Sequence, residues 1–212
     1  MAKEVVYIVD DDPSVLMSVQ AVLNSRGFET RGFALAQEFL RVISPDEVGC
    51  VITDLQMPEI NGLELQLTLC EMHSCLSLIM VTGFADVPIA VEVMSKGAVT
   101  VIEKPYEAEK LVEFVQRAME VSRKTYAQTE KERDAVRRIS VLTPEELQVM
   151  ELAIRGLPNK AISDTLTISR RTVDRRRQTA LTKARVATVS EFAIVLETAR
   201  MLGGPPTSGS AV

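Results

Sequence analysis

Acidic, hydroxyl and ammonium side chains recur in this chain directly after apolar runs, and that placement is what gives them chemistry. Asp10 and Asp11 follow the run 5–9, Asp54 follows 50–53, Thr82 follows 78–81 and Lys104 follows 99–103. Short apolar runs of this length read as buried strands. In an open sheet of parallel strands the carboxyl ends share one edge, where ligands bind. Four such ends would bring three carboxylates, a hydroxyl and an ammonium to one place. Two carboxylates about 4 Å apart repel by about 4 kcal/mol at an effective dielectric near 20, and a third worsens it. Mg²⁺ relieves that repulsion, because it accepts one or two carboxylates, keeps several waters and shares the rest with phosphate oxygens. One carboxylate can then act as nucleophile toward a phosphoryl donor. Lys104 and Thr82 would hold the phosphoryl oxygens. Asp12 has a different task. Followed by Pro13, it fits a helix N-cap with proline at the first helical position.

The elements that must position these groups alternate strictly. Strands are expected near 4–9, 28–33, 49–54, 77–82 and 99–103, with helices near 13–26, 34–43, 61–72 and 86–96. That order predicts a parallel sheet with helices on both faces. The Asn61-Gly62 pair reads as a turn in a loop over the acidic edge.

Four stretches of this half together resemble the receiver domain of two-component response regulators: VYIVDDDPSV, VITDLQMPEINGLEL, IMVTGFADVPIAVEVMSKGAV and VIEKPY. The resemblance covers about residues 3–120 and implies a flavodoxin-like (βα)5 fold. It implies Asp54 as phospho-acceptor, with Asp10, Asp11, Asp54 and the backbone carbonyl of Gln56 holding Mg²⁺. Thr82 and Lys104 are implied as the phosphate-sensing pair, and Pro105 as a cis-linked proline. One departure concerns signal transmission: Val101 stands where the family has Phe or Tyr in the last strand. Tyr106 lies just beyond.

Charge divides the chain. Residues 1–105 hold six Lys or Arg against fifteen Asp or Glu, a net −9; residues 106–139 hold eight against seven, +1; residues 140–212 hold ten against seven, +3. An acidic front and a basic back fit a divalent-cation domain joined to an anion-binding one. No apolar stretch is long enough to span a membrane and the N-terminus lacks a signal-peptide pattern, so a soluble cytoplasmic protein is expected. Cys50, Cys70 and Cys75 are odd in number and spaced unlike a disulfide framework or zinc site. No further catalytic His, Cys or Ser constellation favours an enzyme.

From 106 to 138 there is no Gly or Pro, and Leu111, Val115, Ala118, Met119 and Ser122 share one helical face. The stretch 122–140 is expected either as a helical continuation or as a mobile linker. Thr143-Pro144-Glu145-Glu146 then has the grammar of a capping box. A short helix opens at 158–160, Ser169 caps the next, and that next helix, about 170–185, is strongly basic. Two helices joined by a tight turn, the second basic, form a helix-turn-helix pattern. Arg171, Arg175 and Gln178, with Thr172 and Asp174 alongside, are placed to reach base edges in the major groove of double-stranded DNA. Arg170, Arg171 and Lys183 are placed for phosphates.

Residues 141–202, with LTPEELQVMELAIRGLPNKAISDTLTISRRTVDRRRQTALTKARVATVSEFAIVL, resemble the LuxR/FixJ-type C-terminal DNA-binding domain. That resemblance implies four helices, the third reading DNA and the fourth at a dimer interface. Glu145, Thr167 and Arg176 depart from the usual residues. The expected organisation is a receiver at 1–121, a helical linker at 122–140, an all-α helix-turn-helix domain at 141–202 and a disordered tail at 203–212. The expected function is that of a response regulator of the FixJ/NarL class, phosphorylated by a sensor histidine kinase and forming a homodimer on phosphorylation or DNA binding. The alternative is a phosphorylation-independent DNA binder whose receiver is a dimerisation scaffold.

Overall fold

The computed structural model describes residues 4–83, 91, 93–95 and 97–201. The chain divides into two compact units, one up to Ala127 and one from Gln128 onward.

The first unit is built on five parallel strands, β1 (Val5–Val9), β2 (Thr30–Phe33), β3 (Gly49–Asp54), β4 (Ser77–Thr82) and β5 (Thr100–Glu103), in the order β2-β1-β3-β4-β5. Helices α1 (Pro13–Ser25), α2 (Ala36–Val42) and α3 (Gly62–Glu71) connect them, as the alternating pattern predicted. The helix expected at 86–96 lies outside the described residues except for 91 and 93–95, and the tail at 203–212 lies outside them altogether. Alternate strand residues feed two cores. Val6, Ile8, Ile52, Ile79, Val81 and Ile102 pack with Val19 and Leu23 of α1. Val5, Tyr7, Val9, Val51 and Met80 face the other way, against Phe39 of α2 and Leu65 of α3. Both faces are covered, which is why the strands read as unbroken apolar runs rather than as alternation.

Helix α4 (Ala108–Ser140) is one helix of 33 residues. Of the two states left open by the sequence, the stretch 122–140 is therefore helical. Its first turns bury Leu111, Val115, Ala118 and Met119 in the core shared with α1. Ser122 closes that contact: buried, its hydroxyl donates to the Cys75 carbonyl at 2.7 Å and accepts from the Gly49 N–H at 2.9 Å.

The second unit contains the last turns of α4 and helices α5 (Pro144–Ile154), α6 (Asn159–Leu166), α7 (Arg170–Lys183) and α8 (Val189–Met201). Ala135 and Ile139 of α4 are buried with Leu147, Met150, Leu181, Phe192 and Leu196. The caps are those the sequence predicted. Thr143 and Glu146 form a reciprocal capping box with Pro144 at the first helical position, and Ser169 accepts from Thr172 N–H. Between α6 and α7 the chain turns through Thr167, held at φ 52° in the left-handed region. That conformation is costly for a β-branched residue and explains why a small residue or glycine suits the position.

Candidate functional site

Lys104 is the centre of the acidic edge. Its ammonium donates to Asp54 Oδ2 at 2.6 Å and to Asp10 Oδ2 at 3.2 Å, joining the ends of β1, β3 and β5. Its backbone N–H donates to the Thr82 carbonyl at 2.8 Å, and Thr82 itself is buried at the end of β4. The Lys104–Pro105 bond is cis. Burial alone would lower the lysine's pKa, but the hydrogen bonds to Asp54 and Asp10 outweigh it and hold the ammonium above its ordinary value.

Local backbone fixes the two acids. Asp10 Oδ1 accepts from the Asp12 N–H at 3.0 Å, and Asp54 Oδ1 from the Gln56 N–H at 3.1 Å. Asp12 caps α1 through the Ser14 N–H at 2.8 Å. Asn61, read from the sequence as a turn residue, instead caps α3 in a reciprocal box with Glu64. The Asn-x-x-Glu spacing carried that signal. Gly62 is needed for close approach: a Cβ there would lie 2.3 Å from the Asp54 carbonyl and 2.6 Å from Met80 Sδ.

The sequence expected three carboxylates to converge. The structure gathers two of them, Asp10 and Asp54, around the lysine. Asp11 is exposed and lines an open cleft with Gln56, Met57 and Asn61. Among the described residues no three His, Cys, Asp or Glu side chains stand together in a metal-holding group. The donors along this edge are nevertheless all hard oxygens, and Asp10 and Asp54 already share one cation, so their chemistry fits Mg²⁺.

Val101 and Tyr106 fall on opposite sides of the sheet. Val101 packs with Leu78, Met80 and Val93, whereas Tyr106 packs with the cluster of Ile8, Ile52, Val81 and Ile102. Tyr106 therefore does not take the place of an aromatic ring on the Val101 side. Burial, chiefly, raises its phenol.

On α7 the exposed residues are Arg170, Arg171, Asp174, Arg175, Gln178 and Thr182, while Val173, Ala180 and Leu181 are buried. Arg171, Arg175 and Gln178 thus share one outward face, as their spacing required. Thr172 is half-buried and bonded to Ser169, its hydroxyl 2.8 Å from the serine's. Lys183, expected as a phosphate contact, is paired within the protein. Its ammonium lies 2.9 and 2.8 Å from the two carboxylate oxygens of Glu146, which are largely buried. Asp174 accepts from the Asn159 side-chain amide nitrogen, and Arg177 donates to Asn159 Oδ1 of the same amide at 3.0 Å. No local spacing signals these pairs, because Asn159 and Glu146 belong to other helices.

Two family models match the chain. The response regulator receiver domain matches residues 6–116, and the model for bacterial regulatory proteins of the luxR family matches residues 140–196. Transcriptional regulatory protein FixJ of Bradyrhizobium diazoefficiens is 35% identical over 197 residues, 93% of this chain and 96% of that protein. The protein of the same name from Rhizobium meliloti is 37% identical over 183 residues, 86% of this chain and 90% of its own length. The low-resolution structure of response regulator StyR aligns with a TM-score of 0.83 at 32% identity, covering 92% of this chain and 99% of that one. Full-length FixJ from B. japonicum aligns with a TM-score of 0.55 at 34% identity, covering 95% and 99%.

Proposed function

Because this chain belongs to the DNA-binding response regulators of two-component systems, joining a receiver domain to a LuxR-type regulatory domain, we propose that Asp54 is its phospho-acceptor and α7 its DNA-reading helix. The observation that carries the first half is the Lys104 ammonium held between Asp54 and Asp10 at the carboxyl edge of a parallel sheet.

A sensor histidine kinase is the donor. An Asp54 carboxylate oxygen forms the new bond to phosphorus as the phosphorus–nitrogen bond of the kinase's phosphohistidine breaks, leaving the electron pair on the imidazole. Mg²⁺, when bound, neutralises charge on the transferring phosphoryl oxygens. Asp10, Asp11, Asp54 and the Gln56 carbonyl oxygen are the residues that would hold it. Lys104, already bonded to Asp54, moves its ammonium to a phosphoryl oxygen, and the Thr82 hydroxyl takes another. The modified side chain carries about −1.5 to −2 charge at neutral pH. That charge is what biases the receiver toward a homodimer. The dimer's two α7 helices then engage half-sites about 34 Å apart on double-stranded DNA. Arg170 contacts phosphate, and Arg171, Arg175 and Gln178 reach base edges, with Thr172 and Asp174 beside them. The protein works in the cytoplasm, where that DNA lies.

A second reading has its own support. With Val101 on one sheet face and Tyr106 on the other, no aromatic side chain of β5 is available to follow a moving Thr82. The receiver would then be a scaffold for constitutive dimers. DNA affinity of the full chain with and without acetyl phosphate separates the two. The first reading expects a gain that Asp54→Asn abolishes; equal affinities in all three samples favour the second.

A further inference from the structure

A carboxylate is out of place on a surface built to meet phosphates. Asp174 is exposed on α7, one turn from Arg170, Arg171 and Gln178, on the face assigned to DNA. Its partner is not an arginine of its own helix. Oδ1 is held by the side-chain amide of Asn159, the first residue of α6, and that amide is oriented in turn by Arg177 at 3.0 Å. The amide is thus fixed at both ends: its nitrogen faces Asp174 and its oxygen accepts from the guanidinium. Asp174 Oδ2 has no donor among the described residues.

We propose that Asp174, positioned by Asn159, is a specificity-determining residue that reads a cytosine in each half-site. This rests on the reading of α7 as the recognition helix. An ionised carboxylate only accepts hydrogen bonds. In the major groove cytosine presents an N4 amine with no acceptor beside it. Adenine presents an N6 amine flanked by the N7 acceptor that repels a carboxylate, guanine presents O6 and N7 acceptors and thymine presents O4. Oδ2 is therefore attracted to cytosine and repelled by guanine, thymine and every phosphate. Asp174 lowers affinity for DNA in general and restores it at one base. The neighbouring arginines do the reverse, adding affinity everywhere and selecting guanine. Asn159 prevents the carboxylate from swinging onto Arg170 or Arg171, which would cancel both effects.

The test is selection from a pool of duplexes with a randomised central segment, using the full chain treated with acetyl phosphate. Wild type, Asp174→Ala, Asp174→Asn, Asn159→Ala and Arg175→Ala are compared, with thermal unfolding of each. Wild type should enrich a cytosine at one position per half-site. Asp174→Ala should lose at least about fivefold discrimination there while binding unrelated DNA more tightly. Asp174→Asn, nearly isosteric, should move the preference toward adenine, and Asn159→Ala should weaken it without changing the base. An unchanged preference in Asp174→Asn, or a wild-type pool with no such cytosine, overturns the proposal. Failure of the parent reading looks different: Arg175→Ala would then bind and select like wild type.

Discussion

Lys183 and Glu146, 37 residues apart in sequence, are joined by a two-oxygen salt bridge that fastens the end of α7 to the start of α5. Glu146 is buried, and it also accepts from the Thr143 N–H at 2.9 Å. Burial would raise its carboxyl, but the Lys183 and Thr143 hydrogen bonds outweigh that and hold it below the ordinary value. Removing Lys183 would strand a buried charge. Lys183→Met should therefore cost the second unit about 2 kcal/mol, read from urea unfolding, before any effect on DNA is considered.

The same pair sets an acid limit. A depressed carboxyl contributes stability above its unfolded pKa and loses it as the pH falls through the folded one. Stability should fall with acid below the ordinary glutamate value of 4.5. Glu146→Gln should flatten that part of the profile relative to wild type. Parallel profiles for the two proteins would show that the pair does not govern it.

Thr167 offers the opposite sign. It is exposed and left-handed at φ 52°, where glycine has no Cβ penalty. Thr167→Gly should stabilise the second unit by about 1 kcal/mol, seen as a higher midpoint in thermal unfolding. A lower midpoint would mean that the threonine side chain contributes more than its backbone strain costs.

Gly62 links packing to chemistry. A methyl group there meets the Asp54 carbonyl at 2.3 Å and Met80 at 2.6 Å. Neither is the loose end of a surface side chain, so β3 or α3 must shift. Gly62→Ala should destabilise the first unit by roughly 1–3 kcal/mol. It should also slow phosphate uptake from acetyl phosphate, because the displaced backbone carries Asp54. Wild-type stability together with a wild-type rate would contradict this.

The legible parts of the chain are those set by local pattern. The strands were readable because both sheet faces are covered and the apolar runs are unbroken. β2 was the least well bounded: it begins at Thr30, not at 28, because the Phe28 N–H returns to the Leu23 carbonyl to close α1. Asp12, Thr143 and Ser169 are legible as caps because one residue and its next three carry the signal. Asn61 is less legible as a cap because Asn-Gly is also a turn pair, although Glu64 completes its box. What the sequence concealed is what folding brings from afar. Lys183 looked like one more cation on a basic helix until Glu146 arrived beside it. Ala135 and Ile139 looked like sparse apolar residues on a charged helix until Leu147 and Phe192 buried them. Asp11 shows the converse. Adjacent to Asp10 in sequence, it points to the cleft beside Gln56, while Asp10 turns to the lysine.

Intact mass of the full chain after incubation with acetyl phosphate and Mg²⁺ tests the central claim most directly. Wild type should gain a single phosphoryl group, and Asp54→Asn should gain none while remaining folded. An unmodified wild-type protein, or a phosphoryl group still added to Asp54→Asn, would contradict the assignment of Asp54 as the acceptor.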